Sequence, residues 1–327
     1  MPSAKANTGM QTARPAYLVL GMHRSGTSAA TQLLALAGAN LPGRLIEGDE
    51  HNAKGYFEPW RIAVFNDERL RAAGSAWHDP FAHPYVALPD AGQEAAWTER
   101  ARALFVEEYQ GAAIPLLKDP RVSVLTPLWR PVLEDLGYEL RCVIPVRHPL
   151  AVAGSLGKRD GFPVEKSVLL WVTYMLAAEA GSRGLKRAFV DYDTLLTDWR
   201  SEVARIETAH GAPLPALTEA AAVEIDAFLT PELRRNTGDD RLHQVPISGG
   251  LAQSVFSAFQ IAAAGAPLDL RALDAATARL LEMRAQMGPL VSPVTRDLDQ
   301  ARSDLADAHR LYAFRMSEAL DKLLEQH

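Results

Sequence analysis

Tyr17-Leu18-Val19-Leu20-Gly21-Met22-His23-Arg24-Ser25-Gly26-Thr27-Ser28 is the stretch whose reading decides the fold. Four apolar residues with strand character stop at Gly21. A glycine-bounded turn follows, and from Thr27 the pattern becomes helical, with Ala30, Leu33, Leu34 and Ala37 on one face up to Gly38. In a strand-loop-helix unit of this kind the loop N–H groups and the positive end of the helix dipole converge on an anion. The hydroxyls of Thr27 and Ser28 add donors. The pattern approaches the nucleotide-binding GxxxxGK[ST], but Thr27 follows Gly26 where a nucleoside triphosphatase carries its phosphate-binding lysine. The basic residue present, Arg24, sits inside the loop.

Further along the chain, three more apolar runs read as buried strands: Ile114 to Leu117, Cys142 to Val146 and Ala188 to Val190. Between them lie helical segments, clearest at Trp97 to Tyr109, Pro149 to Leu156 and Val164 to Ala180, the last apolar nearly all round and so deeply buried. Strands alternating with helices predict an α/β fold, three-layered α/β/α with a central parallel sheet. Residues 1–13 read as a flexible N-terminus, 14–290 as the α/β domain and 291–327 as a C-terminal helical extension. That extension carries Leu298, Leu305, Tyr312, Met316, Leu320 and Leu323 among charges, a partly heptad stripe that either packs on its own domain or pairs two copies as a homodimer. Two irregular stretches, His51 to Trp60 and Trp77 to Pro89, are rich in Gly, Pro and aromatics and suit pocket-shaping loops.

The 327 residues carry 34 Lys+Arg against 40 Asp+Glu, a net charge of -6, so a broad nucleic-acid-coating surface is excluded and any anion must be met locally. A single cysteine, Cys142, forms no internal disulfide, and no Cys/His spacing calls for a structural metal. With no signal-like start and no membrane-length apolar run, the chain reads as cytoplasmic, at most peripheral at the inner membrane. Serine-hydrolase GxSxG and dinucleotide GxGxxG signatures do not occur. His78 and His83, beside Asp79, read as pocket-wall or surface residues.

Local cations are supplied at strand ends. Lys118-Asp119-Pro120-Arg121 follows one strand, and Arg147-His148-Pro149 follows another, at the crevice where open α/β sheets bind ligands. Ser155, eight residues beyond Arg147, faces the same anion only if the chain folds back. Arg24, Lys118 and Arg147 thus converge from three strand ends.

These residues resemble the sulfotransferases that use 3′-phosphoadenosine 5′-phosphosulfate (PAPS), over about residues 16 to 235. GMHRSGTS is similar to the family's 5′-phosphosulfate loop in the form that carries arginine. The resemblance implies that Arg24 meets the bridging and sulfuryl oxygens while Ser25, Gly26, Thr27 and Ser28 cradle the 5′-phosphate. VIPVRHPLAVAGS is similar to the 3′-phosphate motif, which assigns Arg147 and Ser155 to that phosphate. Val190-Asp191-Tyr192-Asp193 resembles the strand whose tyrosine lies by the adenine, and KDPR resembles the element whose lysine, here Lys118, supports the leaving group. The family's late Arg-Lys-Gly loop is not recognisable, and Leu233-Arg234-Arg235-Asn236, with Arg235 as the cation, stands in its place. The form is most like bacterial members acting on carbohydrate or lipid-linked hydroxyls.

Such a transfer needs in-line positioning and cations at the leaving oxygen, and the donor can be handled without a metal. A base for the acceptor hydroxyl is also required. The resemblance puts an acid in the acceptor-side segment NAKGYFE, which favours Glu58, with Glu47, Glu50 and His51 as competitors. Two other readings stand beside the enzyme: a non-catalytic PAP/PAPS-binding scaffold, and a P-loop kinase in which Asp191 ends a magnesium-binding strand.

Overall fold

The computed structural model describes residues 14–48 and 54–324, so the N-terminal segment 1–13 lies outside the described residues. Four strands, β1 (Arg14–Val19), β2 (Leu116–Lys118), β3 (Tyr138–Val146) and β4 (Lys186–Asp191), form a parallel sheet of order β2-β1-β3-β4 among these residues. Chain order therefore reverses around β1: one crossover runs outward to β2, and the next returns past β1 to β3. That reversal is the topological switch point of an open α/β sheet.

Period-two alternation of apolar side chains divides the interior. From β1, Ala16 and Leu18 join one core, while Tyr17 and Val19 join the other. The smaller core is closed by α1 (Thr27–Leu36), α9 (Trp199–His210) and α10 (Glu219–Phe228). The larger lies under α5 (Thr126–Asp135), α6 (Pro149–Asp160), α7 (Val164–Ser182) and α11 (Gly249–Ala263). With helices on both faces, the molecule is three-layered α/β/α. Helix α7 is buried at thirteen consecutive positions, Ser167 to Glu179, which its all-round apolar pattern anticipated.

Three features depart from the expected pattern. Helix α2 (Trp60–Ala72) starts where the aromatic loop ends, and short helices α4 (Arg121–Val124) and α8 (Tyr192–Thr197) follow the ends of β2 and β4. Helix α3 (Ala91–Glu108) begins earlier than expected because Asp90 caps it, accepting from the Gln93 N–H. The last helix, α12, runs Leu270–Leu324 straight through Pro289 and Pro293. Both prolines lie on its exposed side, where the carbonyls they leave unpaired can be hydrated. Its first part packs on the body through Leu273, Ala276, Leu280 and Met283, while Leu298 and Leu305 are exposed. No described helix is long and apolar enough to cross a membrane.

Candidate active site

The loop from Gly21 to Gly26 needs unusual backbone angles. Gly21 and Gly26 have φ of +137° and +94°, and Arg24 sits at +67°, a left-handed conformation costing a side-chain-bearing residue about 1 kcal/mol. Strain is kept at the one loop position with a long cationic side chain. Ser123 on α4 pins the loop's start by accepting from the Gly21 N–H at 2.8 Å. At its end, Gly26 caps α1 with no side-chain hydrogen bond and no acid in the first turn, leaving the helix N–H groups to a ligand. A Cβ on Gly26 would lie 2.3 Å from Tyr192 Cδ2, so only glycine lets that ring pack on the loop.

Around this loop lies a cleft of about 810 Å³, including the solvent at its mouth. It is lined by Arg24, Gly26, Thr27, Ser28, Glu58, Lys118, Arg147, Ser155, Tyr192 and Arg235, which gathers nearly every residue singled out from the sequence. Ser25 lies behind the loop, fully buried, with its hydroxyl lacking a partner. Chain reversal does bring Ser155 back: Arg24 Nε donates to its Oγ at 2.8 Å. Arg147 donates to the carbonyls of Arg24 (2.8 Å) and Asn236 (3.0 Å), its guanidinium lying 4.4 Å from the Tyr192 ring centre. Its Nε is buried without a partner among the described residues. Burial and then the charge of Arg159 pull the Arg24 guanidinium below its usual range.

Lys118, at the end of β2, is almost wholly buried. Its ammonium reaches the Tyr56 carbonyl (2.7 Å), Glu58 Oε1 (2.7 Å) and Ser28 Oγ (3.3 Å), an acceptor for each of its three protons. It therefore clamps the Tyr56–Glu58 segment onto the start of α1, and Ser28 Oγ–H to Tyr56 O at 3.2 Å closes the same joint. The longest of the three contacts, to Ser28, is the one a ligand anion would most readily replace. Burial lowers the Lys118 ammonium below its usual range, and the Glu58 charge opposes that shift. Glu58 also has Arg121 Nη1 at 3.8 Å.

The remaining candidates lie elsewhere. Glu47 is exposed and does not line the cleft, and Glu50 and His51 fall outside the described residues. Asp191 is occupied in capping α8, accepting from the Thr194 N–H and hydroxyl, and is not part of the cleft wall. His78 and His83 are neither pocket wall nor surface: both are buried, His78 beside Lys166 Nζ (3.1 Å) and Asp299 (3.5 Å) of α12. An aromatic-rich loop hides them because Pro and Gly mark irregular backbone, not exposure.

Sequence reasoning gives no role of their own to His23, Lys54, Tyr56, Arg159 and Asn236, nor to the apolar Ala29 and Phe228, all of which line the cleft. Arg159 was within reach, since it follows Ser155 by one helical turn and so shares its face of α6. Lys54, whose ammonium meets the Phe228 carbonyl across most of the fold, carried no such signal. His23 is held neutral: burial, then the charges of Arg121, Arg159, Lys118 and Arg24, push its imidazole well below the usual range.

No family model matches the chain, and no curated protein matches it. Among solved structures it is similar to the sulfotransferase domain from the Synechococcus PCC 7002 olefin synthase, at 17% identity over 82% of this chain and 96% of that one, with a TM-score of 0.40. It is also similar to the sulfotransferase domain from the curacin biosynthetic pathway, at 14% identity over 75% of this chain and 96% of that one, with a TM-score of 0.41.

Proposed function

We propose that this protein transfers the sulfuryl group of PAPS to a hydroxyl of a carbohydrate or glycolipid, releasing PAP. The observation that carries the reading is the contact of Arg24 Nε with Ser155 Oγ at 2.8 Å. It joins the loop after β1 to the helix after β3, so that one cleft has cations at two separated anion positions. A donor with phosphate at one end and phosphosulfate at the other suits such a cleft, and the loop's lack of a triphosphate lysine fits it too.

In this reading Ser25, Gly26, Thr27 and Ser28 hold the 5′-phosphate through loop and helix N–H groups and hydroxyls. Arg147, Ser155 and Arg235 hold the 3′-phosphate, and Tyr192 orients the nucleoside. The acceptor oxygen forms a bond to sulfur as the bond from sulfur to the bridging phosphate oxygen breaks. The electron pair leaves on that oxygen, where Arg24 and Lys118 offset the developing charge. A preorganised donor of this sort contributes about 3 kcal/mol. Glu58 takes the acceptor's proton. Lys118 holds the Glu58 carboxylate in place, and yields its Ser28 contact to the leaving 5′-phosphate. Residues 14–290 form the catalytic unit, and the exposed Leu298, Leu305 and Met316 of α12 pair two copies.

Two measurements test this. Calorimetry should show PAP binding, and absence of binding would sink the reading. Transfer of labelled sulfate from PAPS to a panel of glycans, glycolipids and phenols should then be seen, whereas binding with no transfer to any acceptor makes the protein a scaffold. Tight magnesium-dependent ATP binding would instead favour the kinase.

A further inference from the structure

Arg159 is a cation the donor does not account for. It sits in the last turn of α6, and helix rise places it about 6 Å past Ser155 and about 15 Å from the start of α6, which follows Arg147. That sets it well away from Arg147, one turn beyond the serine. Yet it lines the cleft, and its charge is the strongest ionic influence on Arg24. Cations in a helix's last turn commonly do no more than face the dipole, but the neighbouring Lys158 already does so in solvent. Arg159 instead turns inward, its guanidinium 5.5 Å from the Trp77 ring centre, and His23 meets the same indole at 4.8 Å with its ring tilted by 56°. Asp160 Oδ2 takes only its Nε, at 2.8 Å, and its two terminal nitrogens have no partner among the described residues.

Among the described residues six cations line the cleft, Arg24, Lys54, Lys118, Arg147, Arg159 and Arg235, against one carboxylate, Glu58. Arg24 and Lys118 face one end of the donor, Arg147 and Arg235 the other, and Lys54 is bound to the Phe228 carbonyl. Only Arg159 remains, against the Trp77 ring that His23 of the loop also meets. In-line displacement requires the acceptor opposite the leaving oxygen. We infer that the acceptor is itself anionic, carrying a carboxylate, phosphate or sulfate that Arg159 binds with its two terminal nitrogens, with the Trp77 indole behind it. This deepens the sulfotransferase reading and rests on it.

The full-length protein, saturated with PAP, is titrated with glucuronic acid against glucose and with glycerol 3-phosphate against glycerol. At least one charged member should bind tenfold or more tighter than its neutral twin, and which of the two does so separates a uronate from a phosphate acceptor. Arg159→Gln should lose that factor and keep PAP affinity within twofold, Arg159→Lys should retain part of it, and Arg279→Gln on the exposed side of α12 should change nothing. Charged and neutral twins binding alike, or none binding, overturns the inference while leaving the transferase reading in place. So does a tenfold rise in the KM for PAPS in Arg159→Gln with acceptor KM unchanged, which would make Arg159 a donor ligand. If wild-type protein fails to bind PAP, the transferase reading falls and takes this inference with it.

Discussion

The two ends of the cleft are built differently. The end proposed for the donor consists of chain segments that the parallel sheet delivers side by side: the loop after β1, the turn after β3 and the start of α8 after β4. Its contacts are largely backbone-based, such as Arg147 to the Arg24 carbonyl, and its special residue is a glycine. The end proposed for the acceptor is assembled from the Lys54–Glu58 segment, the end of β2 and the last turn of α6, held by side chains, above all the buried Lys118–Glu58 pair at 2.7 Å. A strand end can hold phosphate with few side chains because its N–H groups and the helix dipole are already oriented. A base and an acceptor pocket have no such ready-made frame, so they depend on ion pairs whose loss is costly.

The sharpest way to break this contrast is at Arg24, where the two ends meet. Arg24→Ala should lower transfer roughly 10³-fold, while PAP, which lacks the sulfuryl group, binds within about tenfold of wild type. Arg24→Gly should lose transfer equally without a lower Tm, because glycine accepts the left-handed φ of +67° at no steric cost. Retention of transfer within tenfold in either variant would move the reacting centre away from this loop.

Next in size is Glu58→Gln, expected to reduce kcat by about 10²-fold or more with PAPS affinity little changed. It should also lower stability by about 3 kcal/mol, since Lys118 is left buried without its carboxylate. The double variant Glu58→Gln with Lys118→Met isolates the structural effect: thermal stability should recover, while transfer stays lost because Lys118 itself offsets the leaving-group charge. Recovery of transfer along with stability would reduce both residues to structural partners.

Much of the donor end was legible because its signals are local. Gly21, Arg24, Gly26 and Thr27 lie within one turn, and Arg147 and Ser155 follow one strand, so spacing alone puts them near a sheet edge. The sheet itself was readable from four apolar runs, although β3 starts at Tyr138 and not Cys142, since its first residues alternate and do not form a continuous apolar run. The acceptor end was legible only in part. Glu58 was named through its segment, but its pairing with Lys118 spans distant elements and no periodicity encodes it. The start of α12 was missed for the opposite reason: Pro289 and Pro293 look like boundaries, and only tertiary burial of Leu273 and Leu280 shows that they are not.

Gly26→Ala tests how strictly backbone defines the donor end. The new methyl would have to displace Tyr192, or the loop would have to leave φ +94°. Either change should weaken PAP about tenfold and cost about 1–3 kcal/mol of stability. Adding Tyr192→Leu should return stability more than affinity, because the smaller side chain relieves the clash but no longer lies beneath Arg147. Unchanged PAP affinity in Gly26→Ala would show that the loop moves freely and that the backbone contrast is overstated.

The smallest effect concerns the loop from Trp77 to Pro89, whose Trp77 packs against Arg159 and His23. His83 is buried with its Nε2 unpartnered, and burial, aided by the charge of Arg284, lowers its imidazole to about 4. An unfolded histidine titrates near 6.5. Above that value both states are neutral and His83 adds no pH dependence. As pH falls from 6.5 toward 4, the unfolded chain takes up a proton that the folded chain refuses, so stability is lost on acidification at up to about 1.4 kcal/mol per unit. Between pH 7 and pH 5 this histidine should therefore cost about 1–2 kcal/mol, read from urea midpoints. His83→Gln should flatten the profile by that amount whatever its absolute stability, since only the slope is compared. An unaltered slope would mean that His83 is hydrated in solution, and that this loop is looser than its burial indicates.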